Sequence, residues 1–488
     1  MDEKLLLVPV FVPMLISSGM LFIKAKDSKR KNILIEGIVV LFTVFVWIMS
    51  FNTPSSSITL LQITGDFSLK LKMDGFSKVF SLMSSSLWVF VTIYAFEYMK
   101  HDERQNTFFA FFIMAFGVTQ GICYAANLMT LYVFYEMFTL TTLPLVIHYN
   151  DAESRYAGRK YAVYSIGGSA FAFVGIIILS CFFPSTEFVA GGFVTASESD
   201  TAFLSAVFLM MFFGFGVKAA IFPFSGWLPA AGVAPTPVTA LLHAVAVVKA
   251  GIFAIVRLTY YSFGQDFLTG TFAQYTALAF AIFTMLYGAI KALKENHFKR
   301  RLAYSTVSNL SYIITALMLL TEEGFIAGLT HMVFHGIIKI TAFMCAGSFM
   351  HQTGFSYIFE IDGIGKKMPV TFGCYTISAL SLMGIPLFCG FISKYLLVNA
   401  AVKCGIHGTV AAIALVITSL ICAAYMLGIT LHAFFPKNGR ALYEKSDVRE
   451  ANLTMLIPIC VFTAVNIFFG LNPSAVVNFI TTVARTIF

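Results

Sequence analysis

Apolar runs of about 20 residues recur along the whole chain, separated by short polar or charged loops. A helix needs a run of this length to cross the hydrocarbon core of a bilayer, whereas the strands of a membrane barrel show shorter segments of alternating polarity. The pattern predicts an all-α polytopic membrane protein with about fourteen transmembrane helices. The predicted helices cover residues 5–23, 33–51, 77–99, 107–123, 127–148, 161–183, 202–222, 236–260, 271–293, 301–319, 325–350, 369–403, 407–435 and 452–470.

Two of the predicted helices are interrupted. The seventh contains two glycines and runs into Pro223, and the twelfth carries Pro386 between two glycines. A broken helix is tolerated in a membrane only where protein or water satisfies the freed backbone groups. Because the breaks lie five helices apart, we expect two repeats, helices 4–8 and 9–13, the second inverted. The predicted parts are residues 1–106 (helices 1–3), 107–260 (first repeat), 271–435 (second repeat) and 452–488 (the last helix and a short apolar tail).

Composition and charge agree with this organisation. The chain is 58% hydrophobic and 11% charged, and its net charge is +8. Most Lys and Arg residues fall in loops that follow odd-numbered helices, so positive-inside bias explains the charge better than nucleic-acid binding does. We therefore expect the cytoplasmic membrane of a prokaryote, lipid around the chain, and both termini outside. The eight cysteines form no CxxC or Cys/His cluster, so we expect no cofactor and no metal, and no enzyme chemistry is indicated.

Charged side chains inside the apolar runs are the main candidates for function. Charge near the bilayer centre costs about 2.5–3.5 kcal/mol per residue even on lenient scales, and such residues usually mark ion or proton paths. The candidates are Glu136, Lys218, Lys249, Lys339, Lys394 and, nearer a helix end, Lys78.

Glu136 and Lys218 form the first predicted unit. Lys218 lies beside the break in the seventh helix, and a carboxylate near a buried lysine favours its charged form. A partner that can move away would make Lys218 a switchable proton carrier. The alternatives are an ion pair that only stabilises packing, and a lysine that snorkels to the interface.

Histidines accompany two of the other lysines. His243 lies six residues before Lys249, about 9 Å along the helix axis and on a face about 120° away, so waters would have to connect them. A satisfied core histidine is the alternative. His331, His335 and Lys339 share one helix face at i, i+4 and i+8 spacing. A zinc site is disfavoured there, because the lysine would repel the ion and no HExxH glutamate is present.

Two further positions complete the predicted path. Lys394 follows the break in the twelfth helix and is the counterpart of Lys218 in the second repeat. His432 lies near the cytoplasmic end of the thirteenth helix, where it would be either an exit-path residue or an interfacial histidine.

At these motifs, roughly residues 75–435, the chain resembles the antiporter-like membrane subunits of respiratory complex I, Mrp-type multi-subunit cation/proton antiporters, and membrane-bound hydrogenase or formate hydrogenlyase complexes. It is most similar to the Mrp-type and hydrogenase-type members. The motifs that carry the resemblance are Trp227-Leu-Pro, Ala234-Pro-Thr-Pro-Val-Thr-Ala-Leu-Leu-His243, Val248-Lys249-Ala-Gly, Leu302-Ala-Tyr-Ser305, His335-Gly-Ile-Ile-Lys339 and Gly390-Phe-Ile-Ser-Lys394.

The resemblance implies fourteen helices with two inverted five-helix repeats, a Glu136–Lys218 pair, and Lys394 as the terminal residue of the channel. It also implies path residues at Lys249 and, on the eleventh helix, at His331, His335 and Lys339. The chain departs from the family pattern at Ser225, Ala230 and His297, where a histidine, an acid and an aspartate are usual. These positions lie on the cytoplasmic side and bear on proton entry and on the choice of partner.

The expected function is therefore a proton- or sodium-translocating component of a larger complex, with charge passing from Lys249 through Lys339 to Lys394. Other integral membrane subunits would be its partners, and either cation/proton exchange or a peripheral Fe–S, hydrogenase or dehydrogenase module would drive it. One alternative is a stand-alone secondary transporter. The other is a structural anchor for a redox enzyme, in which the lysines form packing ion pairs.

Overall fold

The computed structural model describes residues 2–22, 28–52, 57–64, 67–195, 198–436 and 448–488. Helices make up most of this part of the chain. The N-terminal half contains α1 (Val8–Met20), α2 (Ser28–Phe51), α3 (Gly75–Tyr98), α4 (Gln105–Tyr124), α5 (Leu128–Val146), α6 (Ala152–Phe182), α7 (Glu198–Gly216), α8 (Trp227–Ala230), α9 (Thr236–Ala244) and α10 (Val247–Val256).

The C-terminal half continues in the same manner, after a π-helical turn at Arg257–Phe263. It contains α11 (Gln265–Leu268), α12 (Phe272–Lys294), α13 (Phe298–Leu317), α14 (Glu322–Thr353), α15 (Pro369–Met383), α16 (Cys389–Val402), α17 (Gly405–Phe434), α18 (Leu453–Leu471) and α19 (Ser474–Ala484).

Eleven helical stretches of the described chain are long and apolar enough to cross a membrane, which makes this a multi-pass membrane protein. Four shorter apolar helices, among them α7, α15 and α16, add to them. The total of fourteen spans and the inverted repeats stay predictions. The basic residues at 23–27 and 437–447, on which the predicted orientation partly rests, lie outside the described residues.

The two predicted interruptions are present. Helix α7 ends at Gly216, and the chain passes through turns and short helical segments before α9. Helix α15 ends at Gly384, whose φ of 93° is in the left-handed region that glycine adopts without steric cost, and α16 begins at Cys389.

The span predicted at 236–260 is present as Thr236–Phe263, but its helix is interrupted where the prediction has it continuous. The backbone N–H groups of Val245 and Ala246 both donate to the Leu241 carbonyl, at 3.0 and 2.7 Å. The ladder therefore widens by one residue at this point, and α10 starts anew at Val247. No glycine or proline occupies the break, so the sequence carries no local signal for it.

A two-stranded antiparallel hairpin occupies part of the loop predicted at 52–76. Strand β1 (Ile58–Thr64) pairs with β2 (Phe67–Leu71). The N–H of Lys70 donates to the Thr130 hydroxyl oxygen at 2.8 Å, which fastens the hairpin to the start of α5. The described fold is thus helical except for this small element.

The most deeply buried spans carry the candidate residues. All of the apolar window within Thr236–Phe263 is buried, and so is 94% of the window within Glu322–Thr353. Helices α10 and α14 therefore hold Lys249, His331, His335 and Lys339 in the protein interior, where each polar group requires a partner.

Candidate ion path

The centre of the site is a contact between α10 and α14. The Lys249 ammonium nitrogen lies 2.8 Å from Nδ1 of His335, and both side chains are fully buried. Protonated lysine can donate to Nδ1, and neutral lysine can accept from an Nδ1 proton, so a bond of this length fits either state. Nε2 of His335 has no hydrogen-bond partner among the described residues. The pair is suited to receive and release a proton.

His331 continues the row one helical turn away. Its ring centre lies 5.7 Å from that of His335, and its Nδ1 is 2.9 Å from the Ser393 hydroxyl oxygen. Ser393 immediately precedes Lys394 on α16. The spacing on α14 therefore puts the two histidines in series, as the i, i+4 pattern predicts.

Lys394 closes the row on the side of α16. Its ammonium donates to the Ser419 hydroxyl at 2.9 Å and to the Met383 carbonyl at 3.3 Å. The Tyr312 ring separates it from His331, with its centre 5.3 Å from the Lys394 nitrogen and 5.5 Å from the imidazole. Lys249, His335 and His331 are thus direct neighbours, and Tyr312 and Ser393 connect His331 to Lys394.

Lys339 makes no hydrogen bond to Lys249 or Lys394 within the described residues. Its ammonium donates to the Ser305 hydroxyl at 2.7 Å and to the Leu302 carbonyl at 3.2 Å, both on α13. Ser305 in turn lies 2.8 Å from the Tyr425 hydroxyl on α17. Lys339 is therefore part of a polar branch beside the row, and the residue that touches Lys249 is His335.

His243 is buried but does not touch Lys249. Its ring stacks on Phe343 with centres 4.7 Å apart. Neither ring nitrogen has a hydrogen-bond partner in the described part of the chain. The break between α9 and α10 separates His243 from Lys249, so a water would be needed to link them. The sequence also predicts a linking water, but from the different helix faces on which the two residues would lie.

Glu136 and Lys218 lie near each other, but no ion pair joins them within the described residues. Lys218 lies just beyond α7, and its ammonium donates to the Tyr135 carbonyl and sits 3.4 Å from the centre of the Tyr135 ring. One carboxylate oxygen of half-buried Glu136 is buried and lacks a partner in this part of the chain. Glu136, the predicted partner of Lys218, thus directly follows Tyr135, the residue to which Lys218 donates its hydrogen bond.

The chain segment at Lys218 also packs directly against α10. A Cβ atom placed on Gly251 would lie 2.4 Å from the backbone nitrogen of Ala219. Only glycine permits this close approach. A movement of the backbone at Lys218 would therefore displace Gly251, which lies two residues from Lys249. Sequence reasoning found the Lys249-Ala-Gly motif without identifying this role for its glycine.

His432 lies away from the row. Its Nδ1 bonds to the Asp362 carboxylate, and its carbonyl accepts from the Gly363 N–H at 2.9 Å. These contacts tie the end of α17 to the loop after α14. Whether the residue takes part in an exit path stays a prediction.

At the start of α13, His297 replaces the aspartate usual in the family. It caps the helix by accepting from the Arg300 N–H. Burial, with Arg300 and Lys299 nearby, lowers its pKa to about 4. His297 is therefore a neutral cap at pH 7, and this position lacks the negative charge that an aspartate supplies.

A buried ion pair escaped the sequence analysis. Arg257, 1% exposed, donates twice to the Asp74 carboxylate, once at 2.9 Å, and also to the Ser77 hydroxyl at 2.9 Å. Asp74 caps the N-terminus of α3 through the Ser77 N–H. The pair joins α3 to the π-helical turn after α10, across 183 residues of sequence.

Replacing Asp74 by asparagine should destabilise the protein by roughly 3–5 kcal/mol, because it leaves the Arg257 charge buried without a counter-ion. The thermal unfolding midpoint in detergent measures this effect. Glu323→Gln is the matched control, since it removes an ion pair with Lys403 in which both side chains are 54% exposed and should cost about 1 kcal/mol or less. Equal midpoints for both variants would show that the buried pair contributes no stability.

Two family models match the chain. The model described as "NADH:quinone oxidoreductase/Mrp antiporter, TM" covers residues 125–422, which include the whole row. The model described as "NADH-Ubiquinone oxidoreductase (complex I), chain 5 N-terminus" covers residues 61–109.

Curated relatives agree with these models. An Na(+)/H(+) antiporter subunit from Alkalihalophilus pseudofirmus is 32% identical over 82% of this chain and 52% of its own length. An Na(+)/H(+) antiporter subunit from Staphylococcus haemolyticus is 28% identical over 92% of this chain and 58% of its own. The chain spans just over half the length of these relatives.

Solved structures show the same fold. A chain of the Mrp complex from Dietzia sp. DQ12-45-1b superposes with a TM-score of 0.87 at 20% identity, covering 99% of this chain and 97% of that one. A chain of the membrane-bound sulfane sulfur reductase, an archaeal respiratory membrane complex, gives 0.83 at 23% identity, covering 99% and 96%. The family model spans more than half of the chain, and the chain therefore belongs to the NADH:quinone oxidoreductase/Mrp antiporter transmembrane family.

Proposed function

We propose that this chain is an ion-translocating component of a multi-subunit cation/proton antiporter complex in the bacterial cell membrane, with both termini outside. The observation that supports it most is the buried row Lys249, His335, His331 and Lys394, in which Tyr312 and Ser393 connect the last two members. Ionisable groups inside a membrane raise the free energy of the folded protein, and where they occur they usually mark a path for charge.

Protons are the ions that suit the row itself. Its members are imidazoles and lysines, which bind and release protons, whereas sodium requires several oxygen ligands. Cationic lysines also repel a metal cation. The exchanged cation would then cross elsewhere in the complex, through other membrane subunits.

The first half of the fold would control the row. Lys218 and Glu136 lie beside the α7 break, and the backbone at Ala219 touches Gly251 on α10. A change in the protonation of Lys218 or Glu136 would move this contact and so alter the proton affinity of Lys249. Such coupling is reciprocal, so protonation of Lys249 would act back on Lys218 and Glu136.

A redox-driven pump is the second candidate, and the fold shared with the archaeal respiratory complex favours it. In that case a peripheral Fe–S, hydrogenase or dehydrogenase module would couple electron transfer to the row. The antiporter interpretation is preferred because the curated relatives are Na(+)/H(+) antiporter subunits.

Purification from native membranes, followed by mass spectrometry of the associated chains, separates these candidates. We expect small hydrophobic membrane subunits and no Fe–S protein. Copurifying Fe–S or hydrogenase chains would replace the antiporter interpretation by the redox pump. A chain of 53.7 kDa that purifies alone from gentle detergent would contradict both and indicate a stand-alone carrier.

A further inference from the structure

A cavity on the outer face of the helix bundle lies directly behind the α7 break. Its volume is about 700 Å³, and its walls come from α6, α7, α12 and the segment that follows Lys218. Val163 and Phe171 on its α6 wall are 65% and 60% exposed. The walls are apolar, so the cavity is a groove that faces the hydrocarbon of the membrane.

A second, polar cavity adjoins the basic end of this groove. Its volume is about 280 Å³, and Lys160 and Gly226 lie on its wall. The Lys160 ammonium sits 6.0 Å from the ring centre of Tyr164, which lines the apolar groove. A Cβ atom on Gly226 would lie 3.3 Å from the same ammonium and 3.9 Å from the Tyr164 hydroxyl. The two cavities therefore meet at Lys160.

Lys160 is the charge in the polar cavity that is left without a counter-ion. Glu153 pairs with Arg300, and the Glu295 carboxylate accepts from the N–H groups of the two residues that follow it. Within the described chain, half-buried Lys160 makes no hydrogen bond or ion pair. Two exposed arginines, Arg155 and Arg159, flank it on α6. Glu153 and Glu295 both line the cavity, but neither pairs with Lys160, so the Lys160 ammonium can accept an anionic partner from outside the chain.

The dimensions match one leaflet of a bilayer. Lys160 and Phe171 are eleven residues apart on α6, which is about 16 Å along the helix axis, and half of the hydrocarbon core is about 15 Å thick. A transmembrane helix of a partner protein would need a groove of twice this length. Basic pockets at the cytoplasmic ends of membrane helices commonly hold anionic head groups.

We propose that this composite site binds an anionic phospholipid. Its phosphate would contact Lys160 in the polar cavity, and one acyl chain would fill the apolar groove along Tyr164, Gly167 and Phe171. The acyl chain would pack against Gly214, Val217 and Pro223, so the lipid would support the interrupted helix from outside. This inference is independent of the transported ion.

Native mass spectrometry of the full chain with its copurifying subunits tests the proposal. Phosphatidylglycerol and phosphatidylcholine with identical acyl chains are titrated separately. We expect phosphatidylglycerol to bind about tenfold more tightly, because both head groups carry the phosphate but phosphatidylcholine also carries a trimethylammonium cation, which the Lys160 ammonium repels. Lys160→Gln should abolish this preference. Equal affinities in the parent chain would overturn the proposal.

Two glycines provide a matched pair of variants for the apolar groove. Gly167 lines the groove, and a Cβ atom placed there meets nothing within 4 Å. Gly167→Leu should therefore fold normally and displace the acyl chain. Gly37→Leu, at an equally open position on α2, should leave lipid binding unchanged. Lipid binding that survives Gly167→Leu, or falls equally in both variants, would contradict the groove.

Photocrosslinking supplies a test that depends on no substitution. Phosphatidylglycerol with a photoactivatable group in its acyl chain should label a peptide within residues 156–171 of the unaltered chain. Excess inorganic phosphate should leave the labelling intact, because it cannot fill the groove. Labelling of the other groove walls, on α7 or α12, would also support the assignment. Labelling confined to helices that do not line the groove, displacement by phosphate alone, or a protein crosslinked to this face would overturn it.

Discussion

Lys249→Gln is expected to lower proton-coupled ion transport by at least about 100-fold, the scale of a lost proton-transfer group, while the protein still assembles. Lys249 is fully buried, and its only hydrogen bond in the described structure is to Nδ1 of His335. Glutamine is close to lysine in reach and its amide can bond to the imidazole, but it cannot carry a proton at any physiological pH. It also introduces no unpaired buried charge.

Transport is measured in membrane vesicles as pH-gradient-driven cation exchange, and assembly is measured by native gel electrophoresis of the same vesicles. Lys403→Gln is the matched control, because this lysine is 54% exposed and pairs only with Glu323 across the described surface. Full transport by the Lys249 variant would favour the structural-anchor interpretation of the buried lysines. Loss of assembly together with transport would fail to support a role in the path.

The helices were predictable because their apolar periodicity is strong. The fourth predicted helix, 107–123, differs from α4 at Gln105–Tyr124 by two residues or fewer at each end. The break near Lys218 was equally predictable, because two glycines and a proline mark it in the sequence. Apolar periodicity and helix-breaking residues are local features of the sequence, and such features are enough to locate helices and their interruptions.

The partners of the buried charges were not accessible in this way. Lys249 and His335 are 86 positions apart, and helical spacing alone favoured Lys339 as the next member of the row. Which of several residues on one helix face meets a neighbour depends on how the helices cross and rotate, which no single helix encodes. The ion pair of Arg257 with Asp74 was inaccessible for the same reason, since the two residues are 183 positions apart.

His335→Gln should lower transport nearly as much as Lys249→Gln, because His335 is the contact between Lys249 and the rest of the row. Its ring touches the Lys249 ammonium on one side and stacks near His331 on the other. Glutamine preserves a hydrogen bond to Lys249 but cannot accept and release a proton. Removing either member of one serial path blocks it, so the double variant should be no worse than either single variant.

Lys339→Gln separates this geometry from the row expected by sequence. Lys339 bonds to α13, through Ser305 and the Leu302 carbonyl, and not to Lys249. If protons pass from Lys249 to His335 directly, the Lys339 variant should retain more transport than the His335 variant, measured in the same vesicles. The reverse order would show that charge moves through Lys339 and that the Lys249–His335 bond belongs to a resting state. Because the two side chains lie one turn apart on α14, about 6 Å along its axis, the comparison tests the route while the helix stays the same.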